Sequence, residues 1–182
     1  MIEYDILNKL QNYVGFPKIY GLIKTTKKKS CILMNQLGYP LSKLMKDNGN
    51  SFSFKDVLMI GIQAICRLEN LHKVGYIHRD LKPANIIIDE EGVLKLLDFG
   101  IALPMDYAGS TGDSLTGTLA YTAPEVLSGE NVSILSDLYA FGVLAYEVLT
   151  EEFPYAHDNV SQLIQAILYN APDMEAVEDN LA

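Results

Sequence analysis

One stretch, residues 76–100, constrains the fold more than any other part of the chain, and it reads YIHRDLKPANIIIDEEGVLKLLDFG. Its two apolar runs, 86–88 and 93–97, contain β-branched residues and are separated by the turn signal Asp-Glu-Glu-Gly at 89–92. Short runs of this kind around a turn are typical of a β-hairpin. We therefore predict a hairpin whose strands lie in these two runs.

Three side chains with oxygen donors flank the predicted hairpin: Asp80, Asn85 and Asp98. A hairpin brings the residue before its first strand close to the residue after its second strand. We therefore expect Asn85 and Asp98 at one end, with Asp80 on the loop that leads in. Mg²⁺ prefers hard oxygen ligands and completes its shell with substrate phosphates, so this pattern predicts a Mg²⁺-phosphate site. The alternative is a chance cluster of polar residues in loops.

Composition places the chain among folded domains. Apolar residues make up 49% of its 182 residues, which suits one domain with a sizeable core, or a large part of a bigger one. The net charge of −9, without a basic stripe, argues against nucleic acid as the main partner. An acidic surface is compatible with basic peptide substrates, although such a surface more often serves solubility.

Cysteine usage and hydropathy predict a compartment. Cys31 and Cys66 have no CxxC spacing, which favours free thiols in a reducing environment. The first ten residues lack the features of a signal peptide, and the apolar stretches 57–66 and 138–149 are too short and interrupted to span a bilayer. We expect a protein of the cytosol or the nucleus that makes no membrane contact.

Three motifs occur in a fixed order: His78–Asn85 reads HRDLKPAN, residues 98–100 read DFG, and residues 123–125 read APE. Together they resemble the catalytic loop, the metal-binding turn and the segment end of eukaryotic protein kinases. The resemblance implies an α+β, two-lobed fold with a small N-terminal lobe and a mostly helical C-terminal lobe. It also implies transfer of a phosphoryl group from Mg²⁺-ATP. Because three motifs occur in the family's order, a chance cluster of polar residues is a poor explanation of the pattern.

The resemblance implies a role for each residue of the predicted catalytic set. Asp80 corresponds to the base that accepts the proton of the attacking hydroxyl, and Lys82 to the cation near the transferring phosphate. Asn85 and Asp98 correspond to the metal ligands. Thr118 corresponds to the residue that bonds to Asp80 and Lys82 in serine/threonine kinases. A lysine two residues after the aspartate also resembles the serine/threonine type.

Residues 2–13 carry apolar side chains at helical spacing and resemble the kinase αC helix. By that resemblance Glu3 is the glutamate that pairs with a lysine on a preceding strand, and Leu7 packs toward Phe99. The simpler alternative is a solvated glutamate in a first helical turn, where a negative charge suits the helix dipole.

The nucleotide's base is expected to bind where the two lobes join. We predict two strands, over 18–23 and 30–36. Met34, in the second strand, resembles the residue at the gatekeeper position. Backbone groups around Asn35 and Leu37 would bond to the adenine edge, and Ile87 would lie beneath the ring. Residues 1–34 are then a remnant of the N-terminal lobe, residues 35–40 the hinge and residues 41–182 the C-terminal lobe.

The resemblance is incomplete at both ends. Neither a Gly-rich loop nor a strand lysine precedes Glu3, and the last helices of the large lobe are missing, so we expect the middle part of a kinase domain. Losing one preorganised donor costs about 10²–10³ in rate, which puts the activity of this chain alone in doubt. We also expect an exposed apolar side on helix 2–13, and no arginine partner for Glu125. Residues 1–45 resemble casein kinase one, whereas the catalytic loop does not follow that subfamily.

Several helices are expected in the C-terminal lobe: a short one over 41–47, a long one capped by Ser51 or Ser53 and running to Val74, one over 136–149 and one over 160–168. We predict that Cys66 is a core residue and that His72 lies at the surface or compensates the helix dipole. By resemblance, Asp137 holds the backbone of the catalytic loop and His78 stacks beneath Phe99. The predicted apolar side of the long helix comprises Val57, Leu58, Ile62, Ile65, Leu68 and Leu71.

Residues 101–122 are rich in Gly, Ser, Thr and Asp and resemble a mobile activation segment. A phosphate on this segment could pair with Arg79 and order it. The alternative is a polar loop without regulatory phosphorylation. The hydroxyl-bearing candidates are Ser110, Thr111, Ser114 and Thr116.

The leading hypothesis is a serine/threonine protein kinase that uses ATP and Mg²⁺ on a protein substrate. The alternative is a non-catalytic, pseudokinase-like interaction or regulatory module. The missing Gly-rich loop and strand lysine favour this alternative, whereas the intact Asp80, Asn85 and Asp98 disfavour it. A small-molecule phosphotransferase is disfavoured by residues 117–125, which resemble the peptide-docking end of a protein kinase.

Overall fold

The computed structural model describes residues 2–24, 30–47, 52–107, 119–155 and 158–181. Helices and short strands are mixed along the chain, which confirms the α+β class. The helices are α1 (Ile2–Leu10), α2 (Leu41–Asp47), α3 (Phe54–Lys73), α4 (Pro124–Leu127), α5 (Ile134–Thr150), α6 (Val160–Tyr169) and α7 (Glu175–Leu181). The strands are β1 (Ile19–Lys24), β2 (Ser30–Met34), β3 (Tyr39–Pro40), β4 (Tyr76–Ile77), β5 (Ile86–Ile88), β6 (Leu94–Leu96) and β7 (Leu103–Pro104).

The predicted hairpin is confirmed. Strands β5 and β6 pair antiparallel, with Ile86 opposite Leu96 and Ile88 opposite Leu94. Strand β3 adds to the other edge of β5, which makes a three-stranded sheet, while β1 pairs with β2 and β4 pairs with β7. Gly92 closes the hairpin turn with a φ of 76°, a left-handed conformation that glycine adopts without a Cβ penalty. The ends of β5 and β6 are thereby placed side by side.

Helix α1 is shorter than predicted, ending at Leu10, and most of its apolar side is buried, although Ile2 is 36% exposed. Ile6, Leu7 and Leu10 are at most 1% exposed and belong to the same buried cluster as Phe16 and Phe99. For these three residues the expectation of an exposed apolar side was wrong, because they pack into the core cluster that contains Phe16 and Phe99. Helix α1 is therefore anchored on the core.

The long helix α3 begins where the sequence predicts, and half of its predicted apolar side is buried: Val57, Leu68 and Leu71 are inside as predicted. Ser53 caps it: the Ser53 Oγ accepts the Asp56 N–H at 3.2 Å, and the Ser53 N–H donates in return to Asp56 Oδ2 at 3.2 Å. Its buried residues are Val57, Ile60, Ala64, Leu68 and Leu71. Three residues predicted to be inside, Leu58, Ile62 and Ile65, are 39–57% exposed, and Cys66 is exposed as well.

This error has a physical reason. Helix α3 carries apolar residues on more than one side, so helical spacing alone does not select which side is buried. The choice is made by α5 and β6, against which α3 packs.

Helix α5 starts at Ile134, two positions before the predicted start, because Ser133 caps it. Helix α6 is confirmed with its end at Tyr169, and α7 follows it. Within the described ranges, none of the helices is long and apolar enough to cross a membrane.

The packing of α1 can be tested by core truncation. Leu10→Ala should lower the free energy of unfolding by about 2–5 kcal/mol, because it removes buried methyl groups and leaves a cavity. Val14→Ala is the control, since this side chain is 68% exposed. Urea denaturation measures both. Equal effects of the two substitutions would contradict the anchoring of α1.

Candidate active site

The catalytic loop is held by one buried carboxylate. Asp137, in the first turn of α5, is 1% exposed. Its Oδ2 accepts the His78 N–H at 2.8 Å, and its Oδ1 accepts the Arg79 N–H at 2.9 Å. The predicted role of Asp137 in holding the loop backbone agrees with this geometry. Two consecutive amides bound to one side chain leave the loop little freedom at the position before Asp80.

His78 connects this loop to the hairpin. Its ring is fully buried and meets Phe99 edge-on, with the ring centroids 5.3 Å apart. Nε2 lies 2.9 Å from the Leu97 carbonyl oxygen and Nδ1 lies 3.3 Å from the Asp80 nitrogen. A carbonyl requires a donor and an N–H requires an acceptor, so the ring is neutral with its proton on Nε2. Burial lowers the pKa of His78, which favours the same neutral state.

The Asp80 carboxylate is fixed by two neighbours. Lys82 Nζ lies 3.0 Å from Oδ1 and 2.8 Å from Oδ2. Asn85 Nδ2 donates to Asp80 Oδ2 at 2.9 Å and to the Asp80 carbonyl at 2.7 Å. Because both of these partners are acceptors, the amide nitrogen of Asn85 must face Asp80. Its Oδ1 is left for another partner.

The carboxylates of Asp98 and Glu3 face a common cavity of about 200 Å³, which Asn85, Met34 and Phe99 also line. Asp98 has a φ of 61°, in the left-handed region, where a residue with a Cβ is strained. Its Oδ1 accepts the Gly100 N–H at 3.2 Å. Burial raises the pKa of Glu3, and the negative charge of Asp98 raises it further.

The donor set at this cavity fits a magnesium ion. Asn85, just before β5, and Asp98, just after β6, offer hard oxygen atoms at the same open end of the hairpin, as the sequence predicts. Within the described part of the chain, no group of three His, Cys, Asp or Glu side chains is placed to hold a metal. A Mg²⁺ bound by one amide and one carboxylate would take further oxygen ligands from phosphate groups.

The segment 35–40, which the sequence analysis predicts to be the hinge, lies against β5. Asn35 is tied to the start of β1, since its N–H donates to the Lys18 carbonyl at 2.9 Å and its Oδ1 accepts the Lys18 N–H at 2.7 Å. A Cβ on Gly38 would come within 2.8 Å of the Ile88 carbonyl oxygen and 3.5 Å of Ile87 Cγ2. Glycine therefore permits the close approach that brings the segment containing Leu37 beside Ile87.

Comparison with known proteins identifies the family. A model described as the protein kinase domain matches residues 1–181. The chain belongs to the protein kinase family.

Among the relatives of this kinase chain, the probable serine/threonine-protein kinase PknB of Bifidobacterium longum is 39% identical over 125 residues, 67% of this chain and 18% of that protein. Ribosomal protein S6 kinase 2 alpha of Gallus gallus is 34% identical over 168 residues, 92% of this chain and 22% of that protein. These names confirm the predicted serine/threonine type. The chain spans about a fifth of the length of these relatives.

Part of the predicted kinase machinery lies outside the described residues: Thr118 and the four candidate phosphorylation positions Ser110, Thr111, Ser114 and Thr116. Arg79 is described, and its Nη1 donates to the Ile101 carbonyl oxygen at 3.2 Å. The guanidinium that was predicted to meet a phosphate thus contacts the beginning of the activation segment. Its pairing with a phosphate stays a prediction.

Glu125 of the kinase chain has a hydrogen-bond partner within the described residues. Ser136 Oγ donates to Glu125 Oε1 at 2.8 Å and accepts the Ser133 N–H at 3.1 Å. The carboxylate is therefore hydrogen-bonded to a serine hydroxyl, although no arginine partner was expected. Ser136 belongs to the first turn of α5, so this bond ties the end of the activation segment to the helix that carries Asp137.

His72 is the site residue that the sequence analysis missed. It was predicted to lie at the surface or to compensate the helix dipole, but its side chain is 15% exposed and its Nε2 lies 2.7 Å from Asp137 Oδ2. These two residues are 65 positions apart in the chain. Local spacing on α3 carries no signal for such a contact, since only the packing of α3 on α5 creates it.

The two hydrogen bonds from Asp137 to the loop backbone predict a large effect of this side chain on stability. Asp137→Ala should lower the free energy of unfolding by on the order of 3 kcal/mol, because two buried N–H groups lose their acceptor. Leu138→Ala, at a neighbouring position that is 40% exposed, is the control. Chemical denaturation measures the free energy of unfolding of both variants. A loss below about 1 kcal/mol for Asp137→Ala would contradict the proposed stabilisation of the loop by Asp137.

Because Glu3 and Asp98 line the same cavity, a substitution of Asp98 should change the pKa of Glu3. Asp98→Asn should lower the pKa of Glu3 toward its ordinary value of 4.5, because one of the two causes of the upward shift is removed. NMR titration of the Glu3 side-chain carboxyl measures this. An unchanged pKa would show that Asp98 does not act on Glu3.

The direction of the pKa shift of Glu3 determines how the stability of the fold depends on pH. A raised pKa in the folded state means that folding favours neutral Glu3, so its contribution is fully present below pH 4.5 and is lost as the pH rises through the folded pKa. Glu3→Gln should therefore flatten the fall in stability over this range.

Proposed function

We propose that this chain is the catalytic part of a serine/threonine protein kinase that transfers the γ-phosphoryl group of ATP to a protein hydroxyl. The observation that carries the proposal is the Asp80 carboxylate, held between Lys82 and Asn85 on a loop whose backbone is bound by Asp137. A carboxylate fixed in this way can accept a proton from an alcohol without first losing a shell of mobile water.

In the proposed reaction the O–H bond of the substrate breaks, its proton goes to Asp80, and the oxygen forms a bond to the γ-phosphorus as ADP leaves. Lys82 places a positive charge beside the same carboxylate and stabilises charge on the transferring phosphoryl oxygens. Thr118 would bond to Asp80 and Lys82 and support the transfer. A bound Mg²⁺ would neutralise phosphate charge, with Asn85 and Asp98 as its protein ligands.

We place the nucleotide's base at the hinge. The Asn35 N–H is used by Lys18, so the Asn35 carbonyl and the backbone of Leu37 are the groups that would bond to the adenine edge. Ile87 would support the ring from below, and Met34 would limit the depth of the pocket. Glu3 would pair with a cation, because a half-buried carboxylate beside Asp98 is stabilised by a positive charge.

The partners follow from the same proposal: ATP, Mg²⁺ and a protein that presents a serine or threonine. The names of the relatives, probable serine/threonine-protein kinase and ribosomal protein S6 kinase, support the class of acceptor. We place the reaction in the cytosol or the nucleus, since Cys31 and Cys66 are both free thiols.

Phosphoryl transfer is tested with γ-labelled ATP and a mixed basic protein substrate, in the protein that carries this chain. Asp80→Asn should lower kcat by about 10²–10⁴, because a positioned general base contributes that factor. Asp47→Asn is the matched control, since that carboxylate is 60% exposed at the end of α2.

Two outcomes would contradict the proposal. Equal activity of Asp80→Asn and the parent protein would exclude Asp80 as the base. Nucleotide binding without any label transfer by the parent protein would favour the non-catalytic interaction module instead.

A further inference from the structure

The two proposed magnesium ligands belong to strands that the sheet supports unequally. Among the described residues the sheet has the order β3, β5, β6, so β5 has a neighbouring strand on both edges and β6 on one. Asn85 directly precedes β5, whereas Asp98 follows two residues after the end of β6. A short hairpin is only marginally stable by itself. The outer edge of β6, which faces away from β5, therefore needs support from outside the sheet.

A side chain of α3 supplies this support. Gln63 Nε2 donates to the Gly92 carbonyl at 3.0 Å, and Gln63 Oε1 accepts the Leu94 N–H at 3.0 Å. Leu94 is fully buried, so its N–H requires a partner inside the protein. One glutamine amide thus fills the hydrogen-bonding positions that the backbone of a further strand would fill at the outer edge of β6.

Arg67 lies one turn after Gln63 on the same side of α3 and orients its amide. Arg67 Nη2 donates to Gln63 Oε1 at 3.3 Å, and Arg67 Nε donates to the Leu94 carbonyl at 3.3 Å. Gln63 Oε1 therefore faces two donors, the guanidinium and the Leu94 N–H, and these identify it as the oxygen end of the amide. Both side chains are half-buried, which limits competition from water.

These bonds fix the place of β6 along its own direction. Gln63 is bonded to Gly92 in the hairpin turn and to Leu94 in the strand, so β6 cannot slide or tilt without breaking one of the two bonds. Helix α3 is a firm support, since it has 20 residues and packs on α5. The strand leads directly to Asp98, whose φ of 61° must be maintained by its surroundings. A shift of β6 would therefore move the Asp98 carboxylate relative to Asn85.

We propose that Gln63 is a positioning residue for Asp98: its amide, oriented by Arg67, holds the outer edge of β6 and thereby sets the distance between Asp98 and Asn85. This inference rests on the proposed function, in which these two side chains bind Mg²⁺. Gln63 is not among the residues that line the cavity next to Asp98, so it acts through the strand and not by contact with the nucleotide.

The test compares Gln63→Leu with Gln63→Glu in the protein that carries this chain. Leucine cannot bond to the strand, whereas glutamate keeps the acceptor for the Leu94 N–H and for Arg67. Gln63→Leu should raise the Mg²⁺ concentration that gives half of the maximal rate by about tenfold, the lower end of the range for groups that orient a metal ligand. Gln63→Glu should stay closer to the parent protein than to Gln63→Leu. The control is Gln165→Leu, the same substitution at an exposed position of α6.

A second measurement needs neither activity nor metal. In the protein without nucleotide or Mg²⁺, NMR reports the backbone amide shifts of Leu94 and Asp98 and the hydrogen exchange of the Leu94 amide. In Gln63→Leu both shifts should change and the Leu94 amide should exchange faster, whereas Gln63→Glu should resemble the parent protein. Arg67→Lys keeps the positive charge and loses the forked donor. It should change the same two shifts, and it replaces Gln63→Leu if that variant does not fold.

The outcomes separate this inference from the proposed function. A changed Leu94 amide with an unchanged Asp98 amide and a normal Mg²⁺ requirement would assign Gln63 a merely local role and overturn the inference. If Asp80→Asn is inactive in the same assay, the proposed function stands in that case. An active Asp80→Asn would overturn the proposed function, while the Asp98 amide would still report whether Gln63 sets the place of this residue.

Discussion

The geometry of the site depends on one buried carboxylate at the start of α5. Asp137 binds the amides of His78 and Arg79, which stand directly before the predicted catalytic base. A charge removed from water is stable only if donors surround it, so the loop and the carboxylate need one another. Helix α5 is long and its middle is buried, which gives this pair of groups a rigid support.

A second connection joins the loop to the hairpin. His78 is bonded to the Asp80 backbone on one ring nitrogen and to the Leu97 carbonyl on the other, and Phe99 packs against its ring. Asp98 lies between Leu97 and Phe99. The positions of Asp80, the predicted base, and Asp98, the predicted acidic metal ligand, are therefore coupled through one neutral imidazole, and helix α1 packs into the same cluster as Phe99.

The sequence predicted the hairpin, the loop before it, the location of the two metal-ligand candidates and most helix limits, because each depends on short-range patterns. Asn85 and Asp98 had to meet once 86–88 and 94–96 were paired strands. The pattern did not select the buried side of α3, where Leu58, Ile62 and Ile65 are exposed and Ile60 and Ala64 are not. It also gave no sign that Ser136 would replace an arginine as the partner of Glu125.

By itself, then, the sequence determined the motif order, the local strands and turns, and the family to which the chain belongs, since these follow from neighbouring residues and their spacing. Tertiary structure alone decided which side of each helix faces the core and which distant donors reach a buried charge. His72 and Asp137 lie 65 positions apart, and their bond exists only because α3 packs on α5. Contacts of this kind are set by packing and by the need to satisfy buried polar groups, which no local pattern encodes.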